Sequence, residues 1–405
     1  MSSEKQYIDF YHEVCDTIIG RSCAVMNDCR DTALTTFKEK GFPSKKDERY
    51  KYTNVEADFT PEYGIQLGSK IQSGSEYCTS IQDAPIDVSP YYNKIADTTD
   101  PIVALNTVLT VDTLVIYIPR DTQPKHPIQI NNVLKGNQDT MVNRRMLIIL
   151  AQGSQADIII TDHAASDNHF LTNQVIEVIT EDNARLNLYD IEETHLACTR
   201  YSNVYIRQGR DSHVNHTVLT IFNGHTRNTC TVELSGEGSE AVLNGCVIAD
   251  KMQRVDNNTL IRHLVPHCRS NELYKYVLDD SATGAFAGLV YVKEGAQQTS
   301  SAMTNANLCM SPSSHIYTQP MLEIYADDVK CSHGSTVGQL NEQQLFYMRQ
   351  RGISESDARM LLKSAFITHV IETIPLEPLR DRLHYIVDKR LRGELSKCEG
   401  CKLCK

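Results

Sequence analysis

Apolar residues recur at intervals of three and four along the first forty residues of the chain. Tyr7, Val14 and Ile18 follow this spacing, and no proline interrupts it. The spacing places these side chains on one face of an α-helix. Gly41-Phe42-Pro43 then forms a typical stop signal. The pattern therefore predicts helical structure over residues 5–40, followed by an irregular polar segment to about residue 100.

After Pro101 the chain changes to short runs of β-branched residues, many of which alternate with polar residues. Each run has the composition and length of a β-strand. The clearest runs are 113–118, 156–160, 174–179, 185–189, 214–221 and 229–234. Small polar turns separate them without helix-length periodic segments, which excludes a sheet of alternating strands and crossover helices. We therefore expect a coiled parallel solenoid, in which each turn covers the face of the next.

Helical periodicity returns after about residue 339. Asn341 with Gln344 resembles a capping box, and Gly352 lies where a C-terminal glycine belongs. Ser354 is a suitable cap for a second helix that ends before Pro375. The apolar stripes are Leu345, Phe346 and Met348; Ala358, Leu361, Leu362, Ala365, Phe366 and Val370; and Leu379, Leu383, Ile386, Val387 and Leu391. We expect these stripes to form a small helical core, whose remaining faces could bind a partner.

Length and charge narrow the possible classes of protein. A chain of 405 residues would ordinarily form two or three compact domains of about 150 residues, although an elongated repeat fold does not obey this count. The formal net charge is −11, and basic residues form only short clusters such as Arg144-Arg145, so we expect no nucleic-acid binding. The longest apolar runs are shorter than the about 18 residues of a membrane span, so we expect no membrane association.

The thirteen cysteines indicate the redox environment. Their number is odd, their spacing is irregular, and the first residues, Met1-Ser2-Ser3-Glu4-Lys5, do not form an apolar signal segment. We therefore expect reduced thiols and a cytoplasmic location. The P-loop, dinucleotide-binding, serine-hydrolase and metalloprotease motifs are missing from the sequence, so any nucleotide-driven step would depend on another subunit.

The densest group of reactive side chains lies between Asp327 and Thr336. Cys331 and His333 are two residues apart, so in an extended strand they point to the same face. A thiolate and an imidazole side by side suit iron, zinc or copper, and Lys330 would favour the thiolate. Two ligands do not complete a tetrahedral site, however. From the pattern alone, a surface histidine beside a core cysteine also explains the pair.

Two further clusters could bind metal. In the first, His263-Leu264-Val265-Pro266-His267-Cys268, two histidines and a thiol could bind metal, but the proline spoils a regular ligand spacing and favours a turn with packed side chains. The second is the tail, where Cys398, Cys401 and Cys404 form C-x-x-C-x-x-C, the first part of a bacterial ferredoxin run without its fourth cysteine. The tail is either a ligand set for iron or a cluster, or a flexible thiol segment that binds metal adventitiously.

Three stretches carry a specific resemblance to a known family. They are Thr304-Asn305-Ala306-Asn307-Leu308, the segment 322–338 that contains Lys330-Cys331-Ser332-His333-Gly334, and the segment 344–353. Together they resemble the SufB/SufD family of iron–sulfur cluster assembly scaffolds, and the Lys-Cys-Ser-His-Gly version resembles the SufD branch. The likeness covers the chain apart from the cysteine tail, although Tyr50 stands where the family leads us to expect tryptophan.

The resemblance implies a fold, partners and a site. The fold is mostly β, a right-handed parallel β-helix flanked by helical segments. The implied division is an N-terminal helical and irregular region (1–100), the β-helix (101–338), a C-terminal helical domain (339–397) and the tail (398–405). The chain would pair with SufB through the β-helices and recruit the SufC ATPase through its C-terminal helices. It would be a non-catalytic scaffold subunit that shares a nascent iron–sulfur cluster or iron with SufB, at His333 with Cys331 beside it.

Other functions stay open at this point. A SufB-like chain would hold the cluster itself, and the cysteine tail keeps that alternative open. A purely structural subunit would hold SufB and SufC without touching iron. A carbohydrate-active β-helix enzyme is more distant, because such enzymes are mostly secreted and use carboxylates or basic residues on one solenoid face. A bound flavin and a homodimer of the isolated chain are also compatible with the sequence.

Overall fold

The computed structural model describes residues 3–68 and 73–394, and helices lie at both ends of this part of the chain. The N-terminal helices are α1 (Ser3–Arg21), α2 (Ala24–Asn27), α3 (Arg30–Lys40), α4 (Val55–Phe59) and α5 (Pro101–Leu109). The helical structure predicted over residues 5–40 is confirmed, although it is divided into three helices. Residues 41–100 are mostly irregular, as predicted. They contain two 3₁₀ turns (Glu48–Tyr50 and Ile81–Asp83) and two short strands, β1 (Gly64–Gln66) and β2 (Cys78–Ser80).

Arg30 fixes α3 against α5. Its buried guanidinium donates to the carbonyl oxygens of Thr107 (2.9 Å), Val108 (2.7 Å) and Thr110 (2.7 Å). These carbonyls lie at the C-terminal end of α5, where unpaired C=O groups and the helix dipole attract a cation. Because the chain breaks between α2 and α3, Arg30 at the start of α3 can bind the C-terminal end of α5.

The α5 helix contradicts the expectation that strands begin at Pro101. All nine of its residues are buried, so its apolar sequence shows no amphipathic period. The helix begins at a proline in the first helical position, and Asp100 caps it by accepting from the backbone N–H of Ile102 (2.8 Å). The cap and the proline were the available signals for a helix here.

The central part of the chain is a parallel solenoid, as predicted. Its strands are β3 (Leu114–Ile118), β4 (Ile128–Leu134), β5 (Thr140–Leu150), β6 (Gln155–Ala164), β7 (Phe170–Thr180), β8 (Arg185–Glu193), β9 (Cys198–Gln208), β10 (His213–Phe222), β11 (His225–Leu234), β12 (Glu240–Ala249), β13 (Arg254–His263), β14 (Arg269–Leu278), β15 (Thr283–Val292), β16 (Thr299–Cys309), β17 (His315–Ile324) and β18 (Val329–Gly338). From β3 onward, odd-numbered strands form one sheet and even-numbered strands the other. Each turn therefore contributes one strand to each sheet, and all six runs predicted as strands lie in this array, with only the first residue of run 113–118 outside a strand.

The length of one turn can be read from the strand register. Arg185 pairs with Gln155, thirty residues earlier, whereas Glu240 pairs with His213, twenty-seven residues earlier. In seven of the turns a residue at the corner between the odd- and even-numbered strands adopts positive φ. These residues are Asp121, Gly153, Asn183, Asp211, Gly238, His267 and Gln298. Glycine, asparagine and aspartate tolerate this conformation best. Backbone hydrogen bonds join successive corners, for example from Asn183 N–H to the Arg210 carbonyl (2.8 Å).

The two helical segments cover opposite sheets. The N-terminal segment packs on the odd-numbered strands, where Tyr7, Phe59 and Leu105 share an apolar cluster with Met141 and Leu171. The C-terminal helices are α6 (Glu342–Gln350), α7 (Glu355–Ile371) and α8 (Glu377–Leu391). Among the caps predicted for them, Asn341 and Ser354 are confirmed.

α7 and α8 pack on the outer face of the even-numbered strands. Ile367 and Leu383 join Ile221 and Ile248 in one apolar cluster. Arg390 anchors α8 by donating to the Ile221 carbonyl (2.9 Å), to Asp250 (2.6 Å) and to Gln253 (3.0 Å). No helix within residues 3–68 and 73–394 is both long enough and apolar enough to cross a membrane.

Candidate functional site

Cys331 and His333 lie on β18, the last strand of the even-numbered sheet. β18 pairs with β16 on one side, and its other edge is unpaired within the described part of the chain. In the register, Cys331 lies beside Ser301 and His333 beside Met303, and both of these partners are buried. The two side chains therefore point to the inside of the solenoid at its open end. Cys331 is half-buried against the core, whereas His333 is exposed.

A hydrogen bond orients the His333 ring. Its Nδ1 lies 2.9 Å from the carbonyl oxygen of Pro320, which belongs to the facing strand β17. Because a carbonyl oxygen only accepts, Nδ1 carries a proton, and in the neutral ring Nε2 is the nitrogen with the free lone pair. Histidine ligands of metals commonly donate their other ring N–H to a carbonyl in this way. The geometry thus leaves Nε2 as the nitrogen able to bind a metal.

The thiol of Cys331 is held in its protonated form. Burial raises its pKa, and the nearby backbone N–H of Ser301 only partly offsets this effect. A metal ion binds the thiolate, so metal binding at Cys331 must displace a proton. In the described residues no three His, Cys, Asp or Glu side chains are grouped closely enough to hold a metal ion. Within the described part of the chain the pair is therefore an incomplete ligand set.

The second predicted cluster does not form a metal site. His263 is buried, and its Nε2 lies 2.9 Å from the Ser270 hydroxyl. Burial lowers its pKa to about 4. The Cys268 thiol packs against the Ser239 hydroxyl (3.4 Å), whereas His267 occupies an exposed corner beside Glu237. The turn with packed side chains is thus confirmed, and His263, His267 and Cys268 are not grouped closely enough to hold a metal ion. The third cluster, Cys398, Cys401 and Cys404, lies outside the described residues.

The sequence interpretation missed the buried charges. Arg144 and Arg145 look like a short surface cluster, but both are 1% exposed. Because side chains alternate along a strand, Arg144 points into the interior of the solenoid, its lumen. There it donates two hydrogen bonds to Asp162 (2.6 and 2.8 Å). Arg145 points outward and pairs with Glu177 (2.7 Å) beneath the N-terminal segment. The period of two along β5 was the signal that separates them.

The lumen charges continue along the axis. Arg200 pairs with Asp162 (3.2 Å) and with Asp190, and it lies 3.9 Å from Glu192. Glu272 lies nearer the open end, on β14, three strands from the β8 carboxyls of Asp190 and Glu192. It has no cationic partner among these groups and accepts a hydrogen bond from Thr259 (2.7 Å). The interior of the solenoid is therefore polar at several levels, not only at Cys331 and His333.

Comparisons with known proteins identify the family. The profile described as "SUF system FeS cluster assembly, SufBD core domain" matches residues 132–366, and "SufBD protein N-terminal region" matches residues 1–80 and 76–130. The "Iron-sulfur cluster assembly protein SufD" of Escherichia coli is 27% identical over 382 residues, covering 87% of this chain and 90% of that protein.

Two further relatives agree with this match. A SufBD family protein of Synechocystis is 31% identical over 314 residues, covering 74% of this chain and 68% of the relative. The SufD protein of Bacillus subtilis is 24% identical over 347 residues, covering 84% and 79%. The chain therefore belongs to the SufB/SufD family of iron–sulfur cluster assembly proteins, in which it is SufD-like.

Proposed function

We propose that this chain pairs with a SufB-type chain through the open end of its solenoid and shares a nascent iron–sulfur cluster with it. The observation that carries the proposal is the position of Cys331 and His333 on β18, a strand with one edge unpaired among the described residues. A free edge presents backbone N–H and C=O groups to which another β-structured chain can bond. The cluster is the cargo of this assembly, and the partner supplies ligands beyond Cys331 and His333.

The number of ligands supports sharing. Each iron of a cluster needs protein or sulfide ligands in a tetrahedral arrangement, and two side chains from one protein cannot satisfy a whole cluster. Cys331 supplies a thiolate once its proton leaves, and His333 supplies Nε2. Carbohydrate chemistry has no comparable support, because these two side chains are a thiol and an imidazole.

The C-terminal helices are the proposed docking surface for a SufC-type ATPase. α6 buries only Leu345, while Phe346 and Tyr347 are 63% and 58% exposed. Leu361 on α7 and Tyr385 on α8 are also exposed. Exposed aromatic residues are enriched at protein interfaces. The ATPase activity would belong to that partner, and this chain would be a non-catalytic scaffold in the cytoplasm. Its functional regions would be residues 1–100, 101–338, 339–397 and 398–405.

The tail adds a separate proposal. Cys398, Cys401 and Cys404 would bind iron or a cluster through their thiolates. A triple Cys→Ser variant should lose iron in proportion to this contribution, measured by iron and sulfide assay after anaerobic co-expression with the partners. Unchanged iron content and unchanged maturation of iron–sulfur enzymes would contradict the proposal.

The central experiment replaces His333 with alanine. We expect His333→Ala to abolish cluster assembly and leave the complex intact, because the side chain is exposed and supports little of the core. The assays are iron and sulfide content, visible absorption and recovery of iron–sulfur enzyme activity in cells. His315→Ala is the matched control, since His315 is also exposed and lies on the neighbouring edge strand β17. Normal enzyme maturation with only the His333→Ala chain would refute the role of His333.

Two changes test docking of the ATPase. Truncation after Gly338 should abolish co-purification of SufC, but it also uncovers apolar residues of the even-numbered sheet. Phe346→Ser combined with Tyr347→Ser removes only exposed side chains and should weaken co-purification. Met252→Ser, at a solvent-exposed corner of the solenoid, is the control and should bind SufC normally. Retention of SufC by the truncated chain would contradict this assignment.

A further inference from the structure

One line of side chains runs inward from His333 along the solenoid axis. The strand register places His333 beside Met303, Met303 beside Glu272, Glu272 beside Leu243, and Leu243 beside His216. All of these side chains point into the lumen. Neighbouring parallel strands are about 4.8 Å apart, so Glu272 lies roughly 10 Å behind His333, with only the Met303 level between them.

Residues of the odd-numbered sheet contact this line of side chains at each turn. Pro320 accepts from His333, and at the next level the Met303 sulfur lies so close to Gly288 that a Cβ there would be 2.7 Å away. At the third level Thr259 donates to Glu272 (2.7 Å). Met303 thus fills the space between the exposed site and the buried carboxyl, and the missing side chain of Gly288 provides its room.

Glu272 is an unusual residue for such a position. It is 1% exposed, and its second oxygen, Oε1, has no hydrogen-bond partner. A buried carboxyl without a cation is costly, and most such groups in proteins are paired. Desolvation raises its pKa to about 7, although the Thr259 hydroxyl opposes the shift. The fold therefore retains a carboxyl that changes charge near neutral pH.

The other titratable groups around Glu272 keep their neutral forms. Burial raises the pKa of the Cys230 thiol, on β11 of the facing sheet, and that of the Tyr274 hydroxyl on the same strand as Glu272. The pKa of His216, which lies 3.5 Å from the Cys230 sulfur, falls to about 4 through burial and the charge of Arg200. Among these four groups Glu272 alone changes charge near pH 7. A cation bound at the open end would therefore act mainly on this carboxyl.

We propose that Glu272 is a buried counter-charge for a metal cation held by Cys331 and His333, an inference that rests on the proposed function of that pair. When a divalent cation binds, the Cys331 S–H bond breaks and a metal–sulfur bond forms. The positive charge of the cation also favours the ionised form of Glu272. The proton of Glu272 and that of Cys331 are both released to solvent. Glu272 does not touch the metal. It is a positioning residue whose negative charge attracts the cation through the layer occupied by Met303.

The test measures proton release when Co²⁺ binds to the full chain carrying the triple Cys→Ser tail. Titration calorimetry in buffers of different ionisation enthalpy counts the protons, and visible absorption reports Co²⁺ bound to sulfur. At about pH 6 the chain with native Glu272 should release more protons per Co²⁺ than the Glu272→Gln variant. At about pH 9 the counts should agree, and the chain with native Glu272 should bind Co²⁺ about tenfold more tightly, as expected for charges roughly 10 Å apart at an effective dielectric constant of about 20.

Three variants make the outcome specific. Glu192→Gln changes another buried lumen carboxyl, five strands from β18, and should leave Co²⁺ binding unchanged. Thr259→Val removes the hydroxyl that lowers the Glu272 pKa, so the difference in proton release should extend to higher pH. Equal proton counts and equal affinities with and without Glu272, or no pH shift in Thr259→Val, would overturn the inference alone. Undiminished Co²⁺ absorption in His333→Ala would instead overturn the site itself.

Discussion

The buried carboxyl of Glu192 should make the stability of the protein depend on pH. Its carboxyl is fully buried, and it accepts from the Thr226 hydroxyl at 2.8 Å. Burial is the main cause that raises its pKa from 4.5 to about 8, while Arg200 and Thr226 oppose the shift. The native state therefore holds a proton between these pH values that the unfolded chain releases. Stability is fully present below the unfolded pKa and falls as the pH rises toward the folded pKa.

The magnitude follows from the size of the shift. A change from 4.5 to about 8 corresponds to roughly 5 kcal/mol of unfolding free energy, at 1.36 kcal/mol for each pKa unit. Glu192→Gln imitates the protonated carboxyl and keeps an acceptor for Thr226. We expect the variant to match the wild type near pH 5 and to exceed it by as much as about 5 kcal/mol near pH 9.

Urea denaturation at several pH values, followed by circular dichroism, measures this difference. Glu177→Gln is the matched control, because Glu177 is equally buried but pairs with Arg145 (2.7 Å). Removing this charge leaves Arg145 unpaired and should destabilise the protein at every pH by about 3–5 kcal/mol. A Glu192→Gln variant with the pH dependence of the wild type, or one less stable at high pH, would refute the reasoning.

Two further predictions concern packing. Gly245→Ala should destabilise the solenoid by roughly 1–3 kcal/mol, because its Cβ would lie 2.0 Å from the Tyr274 ring. A melting temperature as unaffected as that expected for Gly334→Ala, where a Cβ meets open space, would contradict this. Arg390→Met should loosen α8 by about 3 kcal/mol, since a partly buried ion pair and two further hydrogen bonds are lost. Hydrogen exchange in α8 measures the effect, and exchange no faster than in Arg392→Met, an exposed control, would contradict it.

Local signals in the sequence predict much of the fold. β-branched runs mark strands such as β7 and β10, and Gly209 and Gly238 mark corners where the chain must turn sharply. The pair Cys331 and His333 shares one face because strand alternation is a local property. Asn341 and Ser354 cap helices for equally local reasons.

What could not be predicted depends on contacts between distant residues. α5 is buried on all sides because both α3 and the solenoid cover it, so periodicity does not distinguish it from a strand. The alignment of Glu272 with His333 depends on the lengths of two intervening turns, which vary along the solenoid. A shift of one residue in either turn would place Glu272 on the opposite face.

The two helical segments protect the solenoid unevenly along its axis. Strands near the middle, such as β10 and β12, are bonded on both edges and lie beneath α7 and α8. Within residues 3–68 and 73–394, β18 has one bonded edge, and most of its side chains are exposed. In a repeat structure each turn is stabilised mainly by its neighbours, so opening starts where a neighbour is missing. Amide protection should therefore decline from β12 towards β18, and the strand that carries Cys331 and His333 should open and close many times in the lifetime of the folded middle.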